Sequence, residues 1–206
     1  MPKAPSSLIP MNGHMLVSVD VETTGRLAGW HEIIQIAVVP LTSDIEPVPD
    51  RNPFYMNIAP QYPERHENLA QTVHGLDLEE LRTTCPDAWK VADLFDEWVQ
   101  SFDLPFNKRL IPLAHNWGFE RGFLQHWLGL DSFDALFMSL ARDTMLFALS
   151  INDAAAYHGL DIPFPYVGLK AVAKKYGIVN PNPHDALSDA LTGAKLYKAM
   201  LTSFGH

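Results

Sequence analysis

Three stretches in the first third of the chain carry the hydrophobic pattern of β-strands. Apolar and β-branched residues dominate positions 14–20 and 33–39, and positions 53–58 alternate between apolar and polar side chains. The second stretch is apolar almost throughout, which predicts a central strand covered on both faces. The loop between the first two strands is too short for a crossover helix, so these strands are predicted to be antiparallel.

The rest of the chain alternates helical patterns with one short apolar run at residues 110–114, which we predict to be a buried strand. Residues 60–76 are mostly polar and are predicted to form a long connection. Helices are predicted at residues 77–83, 86–102, 118–128, 145–157, 168–176 and 185–201. This order of elements predicts an α/β fold, in which a mixed β-sheet is flanked by α-helices.

The second predicted helix has an aromatic face. We expect this face to be buried and to carry Trp89, Phe95, Trp98 and Val99. Asp143 lies between a short apolar run and the next helical pattern, so it is predicted near a strand end or a helix start.

Length and composition limit the class of protein. The 206 residues, of which 47% are hydrophobic, predict a single domain over residues 14–206 and a flexible N-terminal tail over residues 1–13. No apolar run approaches the roughly 20 residues of a membrane span, so no membrane partner is expected. The single cysteine, Cys85, cannot form an internal disulfide; this fits a reducing compartment, and we predict a cytoplasmic protein.

The net charge of −9 argues against a protein that coats duplex nucleic acid through a broad basic face. It does not exclude an enzyme that grips a few nucleotides. A cluster of acidic metal ligands adds to the negative charge, and bound divalent cations reverse the sign of the local field.

Two carboxylates lie two residues apart at the end of the first predicted strand. Asp20 and Glu22 follow the apolar run and precede the Thr-Thr-Gly of residues 23–25. In a strand, residues i and i+2 point to the same face, so both carboxylates are aimed at one point. Such oxygen ligands suit Mg²⁺ or Mn²⁺, which keep room for a substrate phosphate. The alternative is a solvated acidic turn, and the pair by itself leaves both interpretations open.

Two later segments place further chemical groups at helix starts. Glu120 lies in the first turns of the helix after strand 110–114, His184 lies just before the last helix, and Asp189 lies about one turn inside it. Structural alternatives exist, because Asp185 fits an N-cap and acidic residues are common in the first turn of a helix. A histidine in the preceding loop can nevertheless lean over the face that Asp189 presents. Taken together with the first pair, these segments favour one shared site.

In these three segments the chain resembles the DEDD superfamily of 3′–5′ exonucleases, histidine subtype, which includes the proofreading subunits of bacterial replicative polymerases. Residues 20–25 match the motif Asp-x-Glu-Thr-Thr-Gly, and residues 184–189 match His-x-Ala-x-x-Asp. Residues 115–124 match His-Asn-x-x-Phe-Asp-x-x-Phe-Leu except at one position. The resemblance covers roughly residues 14–201. It implies a ribonuclease-H-like fold with a five-stranded mixed β-sheet flanked by α-helices.

The resemblance implies a metal-dependent enzyme that hydrolyses phosphodiester bonds at the 3′ end of single-stranded DNA or RNA. Two Mg²⁺ or Mn²⁺ ions would be held by Asp20, Glu22, Glu120 and Asp189, with Asp20 bridging both. His184 would be the general base that takes a proton from the attacking water, because histidine exchanges protons near neutral pH. The implied partner is a nucleic acid with a free 3′ end, single-stranded or short, and the family suggests a polymerase as a protein partner.

The departure from the family pattern is Glu120, which replaces the usual aspartate of the second motif. Glutamate keeps the charge and ligand type but moves the carboxylate out by one methylene, roughly 1.5 Å. Because Mg²⁺ demands near-ideal geometry, the helix must shift, or Glu120 must fold back or ligate through a water. Asp143 is the nearest rival carboxylate, and the resemblance implies that it supports or caps the site instead.

The resemblance also suggests substrate contacts. Thr23 and the loop after it would hold the 3′-terminal nucleotide through backbone contacts, and exposed apolar or aromatic side chains could stack on a base. The candidates are Thr23, Thr24, Leu27, Asn116 and Phe119, with Trp30 and Trp117 as further stacking residues. Core packing is the alternative for the apolar and aromatic members of this set.

A competing interpretation is a catalytically weakened module that binds nucleic-acid ends or a polymerase. In that case Glu120 would mark a decayed site. The presence of the other four site residues argues for the enzyme, since decay should rarely spare the general base. The sequence does not choose between DNA and RNA, because contacts at such a site are mostly to phosphate and sugar.

Overall fold

The computed structural model describes residues 9–203. The strands are β1 (Met15–Thr23), β2 (Ile33–Leu41), β3 (Phe54–Asn57), β4 (Leu110–Ala114) and β5 (Arg142–Asp143). The α-helices are α1 (Asn68–His74), α2 (Leu78–Thr84), α3 (Ala88–Gln100), α4 (Trp117–Leu128), α5 (Leu130–Leu136), α6 (Thr144–Tyr157), α7 (Leu169–Lys175) and α8 (Ala186–Thr202). No helix within residues 9–203 is long and apolar enough to cross a membrane.

The strands form one mixed sheet in the order β3-β2-β1-β4-β5. β1 pairs antiparallel with β2 and β2 with β3, whereas β4 lies parallel to β1 and β5 parallel to β4. The predicted antiparallel pairing of the first two strands and the predicted five-stranded mixed sheet are therefore confirmed. Because β1 and β4 are parallel, their C-terminal ends lie at the same edge of the sheet, and the segments that follow them meet there.

The two faces of β1 are filled differently. The valines at odd positions 17–21 pack into a core with α3, α4 and α5. Leu16 faces the other way and packs with the buried alanines of α8. By the two-residue period of a strand, Ser18, Asp20 and Glu22 share the Leu16 face, so both carboxylates point to the side of the sheet that α8 covers.

Small residues let α8 approach β1 closely. Ala186, Ala190 and Ala194 recur every four residues on one face of the helix and are buried against the sheet. The Ser18 hydroxyl donates a hydrogen bond of 2.7 Å to the Ala190 carbonyl. This contact brings Asp189, the residue before Ala190, to the carboxylates of the strand.

The prediction of a continuous polar connection over residues 60–76 is wrong. A 3₁₀ turn at Pro63–Arg65 and the helix α1 occupy this segment. No residue of α1 is fully buried. A helix that buries no face needs no stripe of apolar residues, and this stripe is the pattern from which helices are predicted. α5 was also not predicted, because it follows α4 directly at Gly129 and buries little beyond Phe133.

The predicted buried face of α3 is correct except at Trp89. Val91, Phe95 and Val99 form the buried stripe, whereas Trp89 is 67% exposed. Trp89 precedes Val91 by two residues, which places it about 200° around the helix. Trp98 packs at the edge of the core, with its ring stacked on that of Phe95.

The N-terminal segment is packed at Ile9. This side chain is buried in the core under α8, and its N–H donates a hydrogen bond of 3.3 Å to the Ser43 carbonyl. Ile9, within the predicted tail, is thus packed against the domain, since an apolar side chain gains more from this core site than from water. Residues 1–8 of the predicted tail lie outside the described residues.

Candidate active site

The first two acidic residues lie at the end of β1. The strand continues three residues beyond Asp20, so Glu22 is part of it and lies opposite Gln35 of β2. The strand pairing shifts between Glu22 and Thr23, which marks a β-bulge or irregularity. Bulges re-aim neighbouring side chains, and this one lies directly at the carboxylate pair.

Three candidate ligands from β1 and the start of α8 meet at this point. One ligand atom from each of Glu22, His184 and Asp189 lies within 4.8 Å of the other two. His184 has a φ of 64°, in the left-handed region that side chains rarely adopt. The next residue, Asp185, accepts the Ser188 N–H at 2.9 Å and caps the helix, as the sequence predicted. The cap fixes the turn that carries His184.

A hydrogen-bond network that the sequence analysis missed ties the start of α8 to the sheet. The side-chain oxygen of Gln35 accepts the Ala186 N–H at 2.8 Å. The amide group of Gln35 donates to Asn57 at 2.8 Å and to the Tyr55 hydroxyl at 3.2 Å. That hydroxyl donates to the Asp185 carboxylate. One signal was available, because Gln35 is the only polar residue in the second predicted strand.

Asn180 is another residue that the sequence did not single out. Its side-chain amide donates to the Asp189 carboxylate. Its oxygen accepts the Ser188 hydroxyl at 2.5 Å and the Asn182 N–H at 3.2 Å. Asn180 is thereby held on both sides and restricts the rotation of the Asp189 carboxylate.

Asp143 holds the start of the helix that carries Glu120. Its carboxylate accepts the backbone N–H groups of Asn116 and Trp117 at 3.2 and 2.8 Å. The same carboxylate caps α6 by accepting two further N–H groups. Asp143 lies at the end of β5 and at the start of α6, so both positions that the sequence left open apply. With its oxygens engaged in this way, it is placed as a support for α4.

Glu120 extends from the first turn of α4 into the protein. Its side chain is 4% exposed, and Oε2 has no hydrogen-bond partner among residues 9–203. Burial, and next the charge of Glu120, raise the pKa of Asp20 well above its usual range, so the two carboxylates are neighbours. A buried carboxylate oxygen without a partner is costly unless another group, such as a cation, neutralises it.

Burial and mutual repulsion oppose ionisation throughout this acidic cluster. Burial, followed by the charges of Asp189 and Asp185, raises the pKa of Glu22 to about 8. Burial also raises the pKa of Asp189, although the hydrogen bond from Asn180 and the charge of His184 oppose the shift. Several carboxylates so placed are stabilised by divalent cations. An all-oxygen carboxylate set with one nearby histidine fits Mg²⁺ or Mn²⁺.

We expect the metal-free protein to lose stability as the pH rises. Between its ordinary pKa of 4.5 and the folded-state value of about 8, Glu22 keeps a proton in the folded protein that the unfolded chain has released. The free energy of unfolding therefore falls with rising pH in this window. Calorimetry in EDTA should show a Tm lower by on the order of 5–10 °C at pH 8 than at pH 5.

Mg²⁺ is expected to oppose this loss, because it binds the deprotonated carboxylates. The gain in Tm on adding Mg²⁺ should be larger at pH 8 than at pH 6. Glu22→Gln should flatten the pH dependence, whereas Glu97→Gln, at an exposed position on α3, serves as the matched control. Equal pH dependence in the wild type and Glu22→Gln would contradict the assignment.

A cavity of about 210 Å³ opens beside Glu22. Its walls include Leu69 and Val73 of α1 and Phe119 of α4. The helix that the sequence analysis took for a connection thus supplies one side of the cavity. An apolar cavity next to the acidic cluster can hold a flat, apolar group whose phosphate reaches the carboxylates.

His74, at the end of α1, borders this cavity. Its Nδ1 accepts the Leu76 N–H at 2.9 Å, so in the neutral ring the proton is on Nε2. Burial, and next the charge of His184, lower the pKa of His74 and favour this neutral form. Nε2 is buried without a partner among residues 9–203, so it is a donor available to a ligand.

Two of the predicted substrate contacts, Thr23 and Phe119, line the cavity. Thr23 donates its hydroxyl hydrogen to the Gly25 carbonyl at 2.6 Å, which shapes the loop after β1. Asn116 adopts a φ of 81° immediately before α4, four residues from Glu120.

The other candidates for substrate contact lie elsewhere. The Thr24 side chain is fully buried and its hydroxyl accepts the Glu32 N–H at 2.9 Å, so a contact of this residue with substrate would be made by its backbone. Trp117 packs in the aromatic core, the alternative that the sequence left open. Leu27 and Trp30 are exposed on the loop after β1 and do not line the cavity.

The loop after β1 folds around His31. This side chain is buried, and its Nδ1 accepts the Leu27 N–H at 2.9 Å. A Cβ atom at Gly25 would lie 2.5 Å from the imidazole ring. The glycine of the first motif is therefore required by the close packing of the loop.

Known proteins share both the sequence pattern and the fold. The chain matches the RNase_T family model, described as exonuclease, over residues 17–197. The PolC-type DNA polymerase III of Staphylococcus epidermidis is 26% identical over 187 residues, which make up 90% of this chain. The match covers 11% of that polymerase, so the chain spans about a tenth of the length of the curated relatives it matches.

Two solved structures have the same fold. The zinc-bound complex of E. coli ExoI with ssDNA has a TM-score of 0.72 at 18% identity, covering 92% of this chain and 41% of that one. The nuclease domain of 3′hExo, a DEDDh family member bound to rAMP, has a TM-score of 0.64 at 16% identity and 92% coverage of both chains. These two structures confirm the predicted ribonuclease-H-like fold, a five-stranded mixed sheet flanked by helices. The chain belongs to the exonuclease family, whose model it matches over most of its length.

Proposed function

We propose that this domain removes nucleotides from the 3′ end of single-stranded nucleic acid, with two divalent cations and with His184 as the general base. The observation that carries the proposal is the meeting of Glu22, His184 and Asp189 within 4.8 Å. The apolar cavity beside Glu22 supports it, because it offers a place for the terminal nucleotide next to these groups.

Asp20, Glu22, Glu120 and Asp189 are the residues that would hold the cations. Asp20 is the central member of this set, since the charges of the other three all raise its pKa after burial itself. Asp20 would therefore be the ligand that both ions share. A pair of such ions stabilises the attacking and leaving oxygens of an in-line displacement at phosphorus. The carboxylate ligands favour Mg²⁺ or Mn²⁺ as the ions.

His184 is proposed to take the proton from the attacking water. The residue is exposed, so water reaches its ring, and one ring nitrogen lies within 4.8 Å of ligand atoms of Glu22 and Asp189. The turn that carries it is fixed by the Asp185 cap. A general base positioned in this way contributes typically 10²–10⁴-fold to the rate.

The cavity beside Glu22 is the proposed site of the 3′-terminal nucleotide. Leu69, Val73 and Phe119 offer a base an apolar surface, and Phe119 offers a ring on which a base can stack. The Nε2–H of His74 is a donor for an oxygen of the nucleotide. The cavity has a volume of about 210 Å³, and its apolar walls suit a single unpaired base.

The related structures leave both sugars as candidates. E. coli ExoI was solved with ssDNA and 3′hExo with rAMP, so DNA and RNA are both proposed as substrates to be tested. The PolC-type relatives are DNA polymerases, which makes a polymerase the protein partner to test.

A binding module without activity is the weaker candidate, because it requires Glu120 to mark a decayed site. Glu120 is buried beside Asp20, and its Oε2 has no partner among residues 9–203. A position released from metal binding would be expected to become exposed or to gain a hydrogen bond. The buried carboxylate instead supports a retained ligand.

Time courses with 3′- and 5′-labelled single strands of DNA and RNA test the proposal. With Mg²⁺ or Mn²⁺, 5′-labelled strands should shorten stepwise from the 3′ end, and the 3′ label should appear at once in mononucleotides. EDTA should stop both reactions, and a blunt duplex should react more slowly than the same strand alone. Shortening from the 5′ end, or no cleavage of either polymer in either metal, would overturn the proposal.

A further inference from the structure

A second depression, of about 620 Å³, reaches the acidic cluster from the side of α7. His184 and Asp189 are among its lining residues, and so are Lys170, Lys174 and Tyr166. The cavity for the terminal nucleotide lies against Glu22 instead. Because ligand atoms of Glu22 lie within 4.8 Å of those of His184 and Asp189, the two depressions adjoin at the cluster.

The charges along this depression differ from those of the chain as a whole. The protein carries a net charge of −9, yet Lys170 and Lys174 lie four residues apart and so on the same side of α7. Both side chains are exposed, and neither forms an ion pair with an acidic residue within residues 9–203. Asp189 is the one acidic residue that lines the depression, and it belongs to the proposed metal site.

Tyr166 adds an aromatic surface to the two lysines. It lies on the segment before α7, and its side chain is 79% exposed. A positively charged groove with an exposed aromatic ring is the combination that binds single strands, through phosphate contacts and base stacking. The depression around Trp30 contains no member of the acidic cluster, so it does not adjoin the site.

We propose that Lys170, Lys174 and Tyr166 bind the single strand on the 5′ side of the bond that is cut. The inference rests on the proposed function, which places the 3′-terminal nucleotide in the cavity beside Glu22 and the scissile phosphate at the acidic cluster. The rest of the strand leaves the cluster through the adjoining depression, where the lysines contact its phosphates and Tyr166 stacks on a base.

The test compares Lys170→Gln/Lys174→Gln with Lys175→Gln, which removes a charge from the same helix outside the depression. Binding of fluorescein-labelled dT10 is measured by anisotropy with Ca²⁺ in place of Mg²⁺, between 50 and 200 mM salt. The double variant should bind about tenfold more weakly at the lowest salt. Its slope of log Kd against log salt should fall by about 1.4, because each phosphate that a lysine neutralises on a single strand contributes about 0.7. Lys175→Gln should resemble the wild type.

Two further measurements separate the groove from the catalytic site. Tyr166→Ala should weaken dT10 binding without changing the salt slope, because stacking releases no counterions. With Mg²⁺, the double variant should lose at least fivefold more kcat/KM on dT10 than on the p-nitrophenyl ester of thymidine 5′-monophosphate, which has no upstream nucleotides.

The outcomes distinguish this inference from the proposed function. A double variant with the Kd and salt slope of the wild type would overturn the proposal that this groove binds the strand. A wild-type protein that does not bind dT10 would overturn it as well. A wild type that binds dT10 with the expected lysine dependence but cleaves neither dT10 nor the ester would overturn the proposed function and leave the groove intact.

Discussion

Asp20→Asn is expected to reduce hydrolysis at 3′ ends by about 10³-fold or more, because the loss of a shared metal ligand removes several kcal/mol of transition-state stabilisation. Asparagine keeps the shape of the side chain but removes the charge at the centre of the acidic cluster. The charges of Glu120, Asp189 and Glu22 all act on this carboxylate. Single-turnover cleavage of 5′-labelled dT10 with saturating Mg²⁺ gives the rate directly.

The same substitution should raise the stability of the metal-free protein. Burial and the neighbouring carboxylates raise the pKa of Asp20 well above its usual range, so its ionised form is disfavoured in the fold. Asp20→Asn should therefore show a higher Tm than the wild type in EDTA at pH 8, together with the loss of activity. Asp153→Asn, at an exposed position on α6, is the matched control and should change neither. Retention of a tenth of the wild-type rate by Asp20→Asn would contradict its central role.

His184→Ala is expected to lower turnover by roughly 10²–10⁴-fold while the protein still gains stability from Mg²⁺. The carboxylate ligands remain in this variant, so metal binding persists, but no nearby side chain takes the proton from the attacking water. Stopped-time assays measure the turnover, and thermal unfolding with and without Mg²⁺ measures the gain in stability.

The backbone at His184 calls for a second variant. With a φ of 64°, alanine would be strained there, whereas asparagine tolerates the left-handed region. His184→Asn should therefore fold with little loss of Tm and yet be as slow as His184→Ala. A rate within threefold of the wild type in His184→Asn would remove the histidine from the mechanism and attribute any loss in His184→Ala to the backbone.

The chemistry of the individual segments was readable from the sequence because it depends on local geometry. The period of a strand places Asp20 and Glu22 on one face, and this holds for any extended backbone. Helical spacing likewise places Asp185 at the cap and Asp189 in the first turn of α8. The antiparallel pairing of the first two strands followed from a short loop. The three motifs also indicated the exonuclease family, which the comparison with known proteins confirmed.

The contents of the site were harder to predict, because they depend on contacts between distant segments. The sequence left open whether Glu120 could replace an aspartate, and the fold places it buried beside Asp20. Asn180 and Gln35 have no motif of their own, and they became visible only through their hydrogen bonds to Asp189 and to the start of α8. Single polar residues of this kind resemble ordinary loop or strand residues until the fold supplies their partners.

The sequence by itself determined the class of fold and the family and supplied the candidate site residues, because these depend on the order of the elements and on the spacing within each motif. Only the tertiary structure decided which of these side chains meet and what surrounds them. The exposed helix α1 has no apolar stripe, yet it forms a wall of the cavity beside Glu22. Thr24 and Leu27 have opposite environments on one loop, buried and exposed, because the loop wraps around His31. Whether a side chain is buried, and which groups it contacts, depend on the packing between elements, and the local sequence does not encode either.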